Sequence, residues 1–141
     1  MTKILCPTRG GEASTRTQDA AIVLAREQDK PLVFLYVVDT HFLDRTERAV
    51  RPDVVMEQMT RMGEFLLTMA QERAQAQGIQ AEVRIRHGEL REELKAAVRE
   101  EEADIVILGR PAGNESAFRL KGLEALAAEI EQETNAETRI L

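Results

Sequence analysis

The sequence predicts an α/β fold, a doubly wound five-stranded parallel sheet with helices on both faces. Two patterns lead there. Five short apolar runs alternate strictly with four longer stretches whose apolar residues recur at three and four. The run at 31–38 is continuously apolar and rich in β-branched and aromatic residues, which suits a central strand buried on both faces. Right-handed crossovers in such a chain lay helices over both sides of the sheet.

The elements follow in order. Lys3-Ile-Leu-Cys6 is a short buried strand ended by Pro7, and Cys6 within it reads as a small core residue. Gly10-Gly11 permits a tight turn. Ser14 or Thr15 then offers an N-cap for a helix over roughly 12–28, with Ala21, Leu24 and Ala25 at helical spacing. After the central run at 31–38 comes a long polar connection, 39–52, that contains His41, Phe42 and several arginines. It is long enough to serve as a flap, and His41 reads as a solvated loop residue.

Residues 54–77 predict a long helix, stopped by Gly78. Val55, Met59, Met62, Leu66, Met69 and Arg73 recur at three and four along it. Its methionines are expected to pack on the sheet rather than to form an adaptable partner surface. Gly63 costs about 1 kcal/mol relative to alanine in mid-helix, so it is expected to mark a close approach. Residues 81–87 alternate apolar and polar as a half-exposed edge strand should, and His87 at their end reads as a surface or turn histidine. A charged helix over 89–101 buries Leu90, Leu94, Ala97 and Val98. Residues 105–108 form the next central strand, 118–133 a helix with Leu123, Leu126, Ala127 and Ile130 inward, and 138–141 a terminal strand.

Composition bounds the function. At 141 residues the chain is one domain, 1–141. A net charge of −6 without a basic stripe argues against a nucleic-acid partner. A single cysteine leaves no disulfide and no metal-ligand set. No apolar run is long enough for a secretory signal or a membrane span, so the expected location is the cytoplasm.

Ligands in an open α/β sheet bind beyond the carboxyl ends of the strands. Those ends are Thr8-Arg9, Val38-Asp39 and Gly109-Arg110, and they are expected to meet at one crevice. The loop after Gly109 runs through Ala112 and Gly113 to a helix holding Gly122 and Leu123. Free N–H groups at such a helix start favour an anion. Arg9 and Arg110 would suit a carboxylate or phosphate there; alternatively, each lies on the surface, or Arg9 pairs with Asp39 and plugs the crevice. Gly109 is expected to answer a backbone requirement. Gly122 serves either the loop or tight packing, and Asp104 caps the start of its strand. No Ser–His–Asp pattern, HExxH or phosphate loop ending in Gly-Lys-Ser/Thr is present.

Over its whole length the chain resembles the universal stress protein family. Pro7-Thr-Arg-Gly-Gly-Glu-Ala-Ser14 is similar to the family's Pro-Val-Asp-Gly-Ser-Glu-x-Ser, and Asp104-Ile-Val-Ile-Leu-Gly109 to its Asp-Leu-Ile-Val-x-Gly. The family's phosphate signature is Gly, two residues, Gly, nine residues, Gly, then Ser or Thr. Without gaps it falls on Gly109, Ala112, Gly122 and Leu123, with Gly113 beside the missing middle glycine. Leu123 stands where the hydroxyl belongs and Arg9 where the family has aspartate.

The resemblance implies an adenine nucleotide alpha hydrolase-like fold of universal stress protein type. It also implies a stress-response regulatory or interaction role, non-enzymatic, with slow nucleotide hydrolysis the third-ranked reading. Losing two contacts of about 1–3 kcal/mol each would weaken ATP some tens-fold to ten-thousand-fold. The expectation is therefore no cofactor, or weakly held ATP. The alternative is a regulator that binds ATP, AMP or another small anion through a loop rebuilt around Gly113. The family's habit of dimerising through its terminal strand implies a homodimer formed by Thr138, Arg139, Ile140 and Leu141.

Overall fold

The structure, a computed structural model, describes residues 2–9, 12–39, 52–110 and 116–141. Gly10-Gly11, nearly all of the 39–52 connection with His41 and Phe42, and the loop residues Ala112 and Gly113 lie outside them.

The elements are β1 (Lys3–Pro7), α1 (Glu12–Gln28), β2 (Leu32–Asp39), α2 (Pro52–Ala76), β3 (Glu82–Gly88), α3 (Leu90–Glu100), β4 (Ala103–Leu108), α4 (Ser116–Thr134) and β5 (Glu137–Ile140). All neighbouring strands are parallel, in the order β3-β2-β1-β4-β5. Among the described residues the five-strand, four-helix expectation stands, as does β3 at an edge.

The two faces of the sheet carry two cores. On one, Ile4, Cys6, Leu32, Phe34, Ile105 and Ile107 meet Ala21, Ile22 and Ala25 of α1 and Leu67, Ala70 and Ala74 of α2. On the other, Leu5, Val33, Leu35, Val106 and Leu108 meet Leu94, Ala97 and Val98 of α3 and Leu126, Ala127 and Ile130 of α4. Alternate residues of β1 and β2 feed opposite cores, as the two-residue period of a strand requires.

Two local expectations are corrected. α1 begins at Glu12, so Ser14 is not its N-cap. Instead the Ser14 Oγ accepts from the Arg9 backbone N–H at 3.3 Å, steadying the chain before the helix. On α2 the buried line is Gly63, Leu67, Ala70 and Ala74, whereas Met62 and Met69 are exposed and Met56, Met59 and Leu66 half-buried. Small residues win the inward position because they let the helix axis come close to the sheet. A Cβ on Gly63 would sit 2.4 Å from Cδ1 of Tyr36, so the expected close approach is real.

The end of α2 is a Schellman cap. Gly78 has φ +83°, and Ile79 N–H donates to Ala74 O at 3.0 Å. Ile79 also packs against the first core.

Candidate functional site

The chain steps from β1 through β2 to β3 on one side and from β4 to β5 on the other. The switch point therefore lies between β1 and β4. Leu5 pairs with Val106, which brings Thr8 level with Gly109 just beyond the two strand ends. Thr8 is buried; its backbone N–H donates to Leu35 O at 2.8 Å and its Oγ1 accepts from Gln18 Nε2 at 2.5 Å. Gln18 and its neighbour Thr17 are buried polar residues of α1. A Cβ on Gly109 would lie 2.7 Å from the Thr17 Oγ1. The requirement for glycine is thus steric rather than a left-handed backbone. Together Thr8, Thr17, Gln18 and Gly109 form a polar floor between two apolar cores.

Arg9 and Arg110 stand exposed at the rim of this floor. Arg110 N–H donates to Leu141 O at 2.7 Å, and Leu141 N–H donates to Leu108 O at 2.9 Å. The end of the chain is thereby fastened to the crevice loop, a link the sequence did not announce.

Val38 and Asp39 lie further along their strand than the ends of β1 and β4. Pro7 pairs with Leu35, so β2 runs four residues past the level of Pro7, about 13 Å at ~3.3 Å per residue. Val38 is fully buried and serves the core. Asp39 pairs in register with Gly88 of β3, away from β1.

On α4, no atom of the described residues lies within 4 Å of where a Cβ on Gly122 would be. This overturns the tight-packing alternative for that glycine. Leu123 packs against the α3–α4 core. It is half-buried there.

Thr17 and Gln18 are the site residues that sequence reasoning missed. The signal was available: Thr17 lies one turn before Ala21 and two before Ala25, so the buried line of α1 turns polar as it reaches the crevice.

Other polar groups belong to the scaffold. Asp104 sits at the far end of β4 and forms an ion pair with Lys30. Burial pushes its carboxyl up, but the Lys30 ammonium and the Thr2 hydroxyl outweigh this and leave it below the usual range. Asp104 thus anchors the start of the strand, as expected. The Cys6 thiol is fully buried, and burial pushes its pKa up to about 12, which makes it a poor nucleophile.

His87 faces α2. Thr60 Oγ1 lies 2.8 Å from Met56 O, to which it donates, and 2.9 Å from His87 Nε2. With its single proton committed, the hydroxyl accepts from His87 Nε2–H. The two border an open hollow of about 430 Å³ at the β3 edge, also lined by Asp53, Glu57, Arg61 and Glu64. Among the described residues no group of His, Cys, Asp and Glu is placed to hold a metal ion, and no helix is long and apolar enough to cross a membrane.

A five-stranded parallel sheet with helices on both faces defines a doubly wound α/β domain. Residues 1–137 match the model of the universal stress protein family, and the chain belongs to that family. No curated protein sequence matches it. Among solved structures it is similar to a universal stress protein family member from Burkholderia pseudomallei, at 21% identity and TM-score 0.75 over 99% of this chain and 95% of that one. It is also similar to an Arabidopsis thaliana family protein with AMP bound, at 15% identity and TM-score 0.67 over 100% and 91%. The Archaeoglobus fulgidus universal stress protein in complex with dAMP matches at 14% identity and TM-score 0.63 over 99% and 97%. At these identities the likeness establishes the fold.

Proposed function

We propose that this chain is a non-enzymatic regulatory or interaction domain of the universal stress protein family that holds ATP weakly or not at all. The observation that carries this reading is Leu123. At the position where the family has a phosphate-binding hydroxyl, this half-buried side chain packs against the α3–α4 core and offers no donor. Arg9 compounds the loss by placing a cation where the family has an acid.

A second reading is favoured by Arg9 and Arg110, both exposed at the rim of the polar floor. In it the crevice takes a small nucleotide such as AMP, the ligand named for the Arabidopsis relative, with guanidinium groups facing its phosphate. The chain acts as a homodimer through the outer edge of β5, whose other side is paired to β4.

Calorimetric titration of nucleotide-free protein with ATP and AMP, with and without Mg²⁺, separates the readings. Silence with both nucleotides is the expected result. Micromolar heat from AMP that vanishes in Arg9→Ala would replace the first reading with the second. Turnover that persists through extensive purification would contradict both.

A further inference from the structure

With its small residues turned to the sheet, α2 presents large apolar ones outward. Met62 is 55% exposed, Phe65 61% and Met69 48%. They are three of the six exposed large apolar side chains among the described residues, and all fall in one eight-residue window. Leu66 lies beside them, half-buried. The spacing 62, 65, 66, 69 makes a narrow seam along the helix, the shape that receives another helix.

We propose that this seam pairs with the same seam of a second copy, antiparallel, about a two-fold axis near residues 65–66. The charges beside it carry the choice of occupant. Arg61 and Glu72 are eleven residues apart, about three full turns, and so lie in line along one flank of the seam. Both are exposed. The midpoint between them falls within about one residue of the midpoint of Met62 and Met69. A two-fold axis through that point therefore sets Arg61 of each copy against Glu72 of the other, twice over. A parallel pair would instead put the two copies' Arg61 on opposite flanks of the seam, level with one another, and Arg61 would have no Glu72 to meet. The seam is self-complementary, as a closed two-fold interface must be.

The apolar chemistry agrees. Phe65 of one copy comes between Met62 and Met69 of the other, where flexible thioethers make favourable contacts with a ring. The seam spans residues 62–69, about 11 Å of helix, so the pair lies below the standard size of specific interfaces and is a weak one. The association is of micromolar strength, and it adds one step to whatever assembly the β5 edge forms.

Sedimentation of the full chain from about 1 to 500 µM tests this, with circular dichroism as the control for folding. The wild-type mass is expected to rise with concentration. Phe65→Asp and Arg61→Glu are each expected to shift the midpoint tenfold or more toward the smaller species. The double variant Arg61→Glu/Glu72→Arg, which exchanges the charges, is expected to recover most of the loss. A wild-type mass that stays constant, a Phe65→Asp chain that assembles like wild type, or an exchanged pair as dissociated as Arg61→Glu would each overturn the antiparallel pairing.

Discussion

The two helical layers reach the same sheet by different means. α3 and α4 bury medium and large side chains, Leu94, Val98, Leu126 and Ile130, and lock together through charge. Lys95, almost fully buried, lies 2.6 Å from Glu129 and 2.7 Å from Glu133, and Arg91 also pairs with Glu129. α1 and α2 instead bury mostly small residues, alanines and a glycine beside Ile22 and Leu67, and are joined by the looser Arg73–Asp19 pair at 3.5 Å. A layer that docks on small residues keeps its large apolar ones free for other contacts. A layer that docks on large residues has none to spare.

The largest effect that would sharpen this contrast is in the α3–α4 layer. Leu94 is 1% exposed, and Leu94→Ala is expected to cost about 2–5 kcal/mol by denaturant titration, since a buried leucine leaves a cavity behind. In the other layer the damaging change is an addition. Gly63→Ala gains about 1 kcal/mol of helix propensity but forces the new methyl into the Tyr36 ring. Overpacking of this kind costs about 1–3 kcal/mol, so a net loss is expected, and it should be non-additive with Tyr36→Ala. A stabilised Gly63→Ala would break the close-docking account of α2.

Titration adds a smaller, signed effect. Pairing with Lys95 holds the Glu129 carboxyl below its usual range, and pairing with Arg86 does the same for Glu100. Groups whose folded pKa is depressed contribute stability above their unfolded value, about 4.3 for glutamate. That contribution is lost as pH falls through the folded value. Lys95 is raised, chiefly by its bonds to Glu129 and Glu133, so its contribution is complete below its unfolded value of about 10.4 and fades only at higher pH. Melting curves should therefore fall below about pH 4, and Glu129→Gln should flatten that fall. The smallest effect belongs to the exposed seam. Met62→Gln is expected to leave stability within about 0.5 kcal/mol of wild type, and a larger loss would mean that Met62 packs inward after all.

Most of the sheet could be read from the sequence, because continuously apolar runs have few other places to go. α2 could be placed but not oriented. The line through Met59, Met62, Leu66 and Met69 is as periodic as the line through Gly63, Leu67, Ala70 and Ala74, and periodicity alone favours the larger residues. Only the docking distance, set by Gly63 against Tyr36, selects the smaller set. The crevice was half legible. Run boundaries located Thr8 and Gly109, but the overshoot of β2 depends on strand register, which no single strand encodes. Thr17 and Gln18 resemble surface residues at a helix start until the sheet is placed beneath them. The departures at Arg9 and Leu123 were visible as letters, and the fold adds that half-buried Leu123 is committed to packing against the α3–α4 core.

That commitment is the central claim, and reversing it is the most direct test. The affinity of ATP should be measured by calorimetry for the wild-type chain, for Arg9→Asp, and for Arg9→Asp combined with Leu123→Ser. Two regained contacts of about 1–3 kcal/mol each predict weak or absent binding by wild type and a gain of some tens-fold or more in the double variant. Micromolar ATP binding by the wild-type chain, with no improvement in the double variant, would contradict the account.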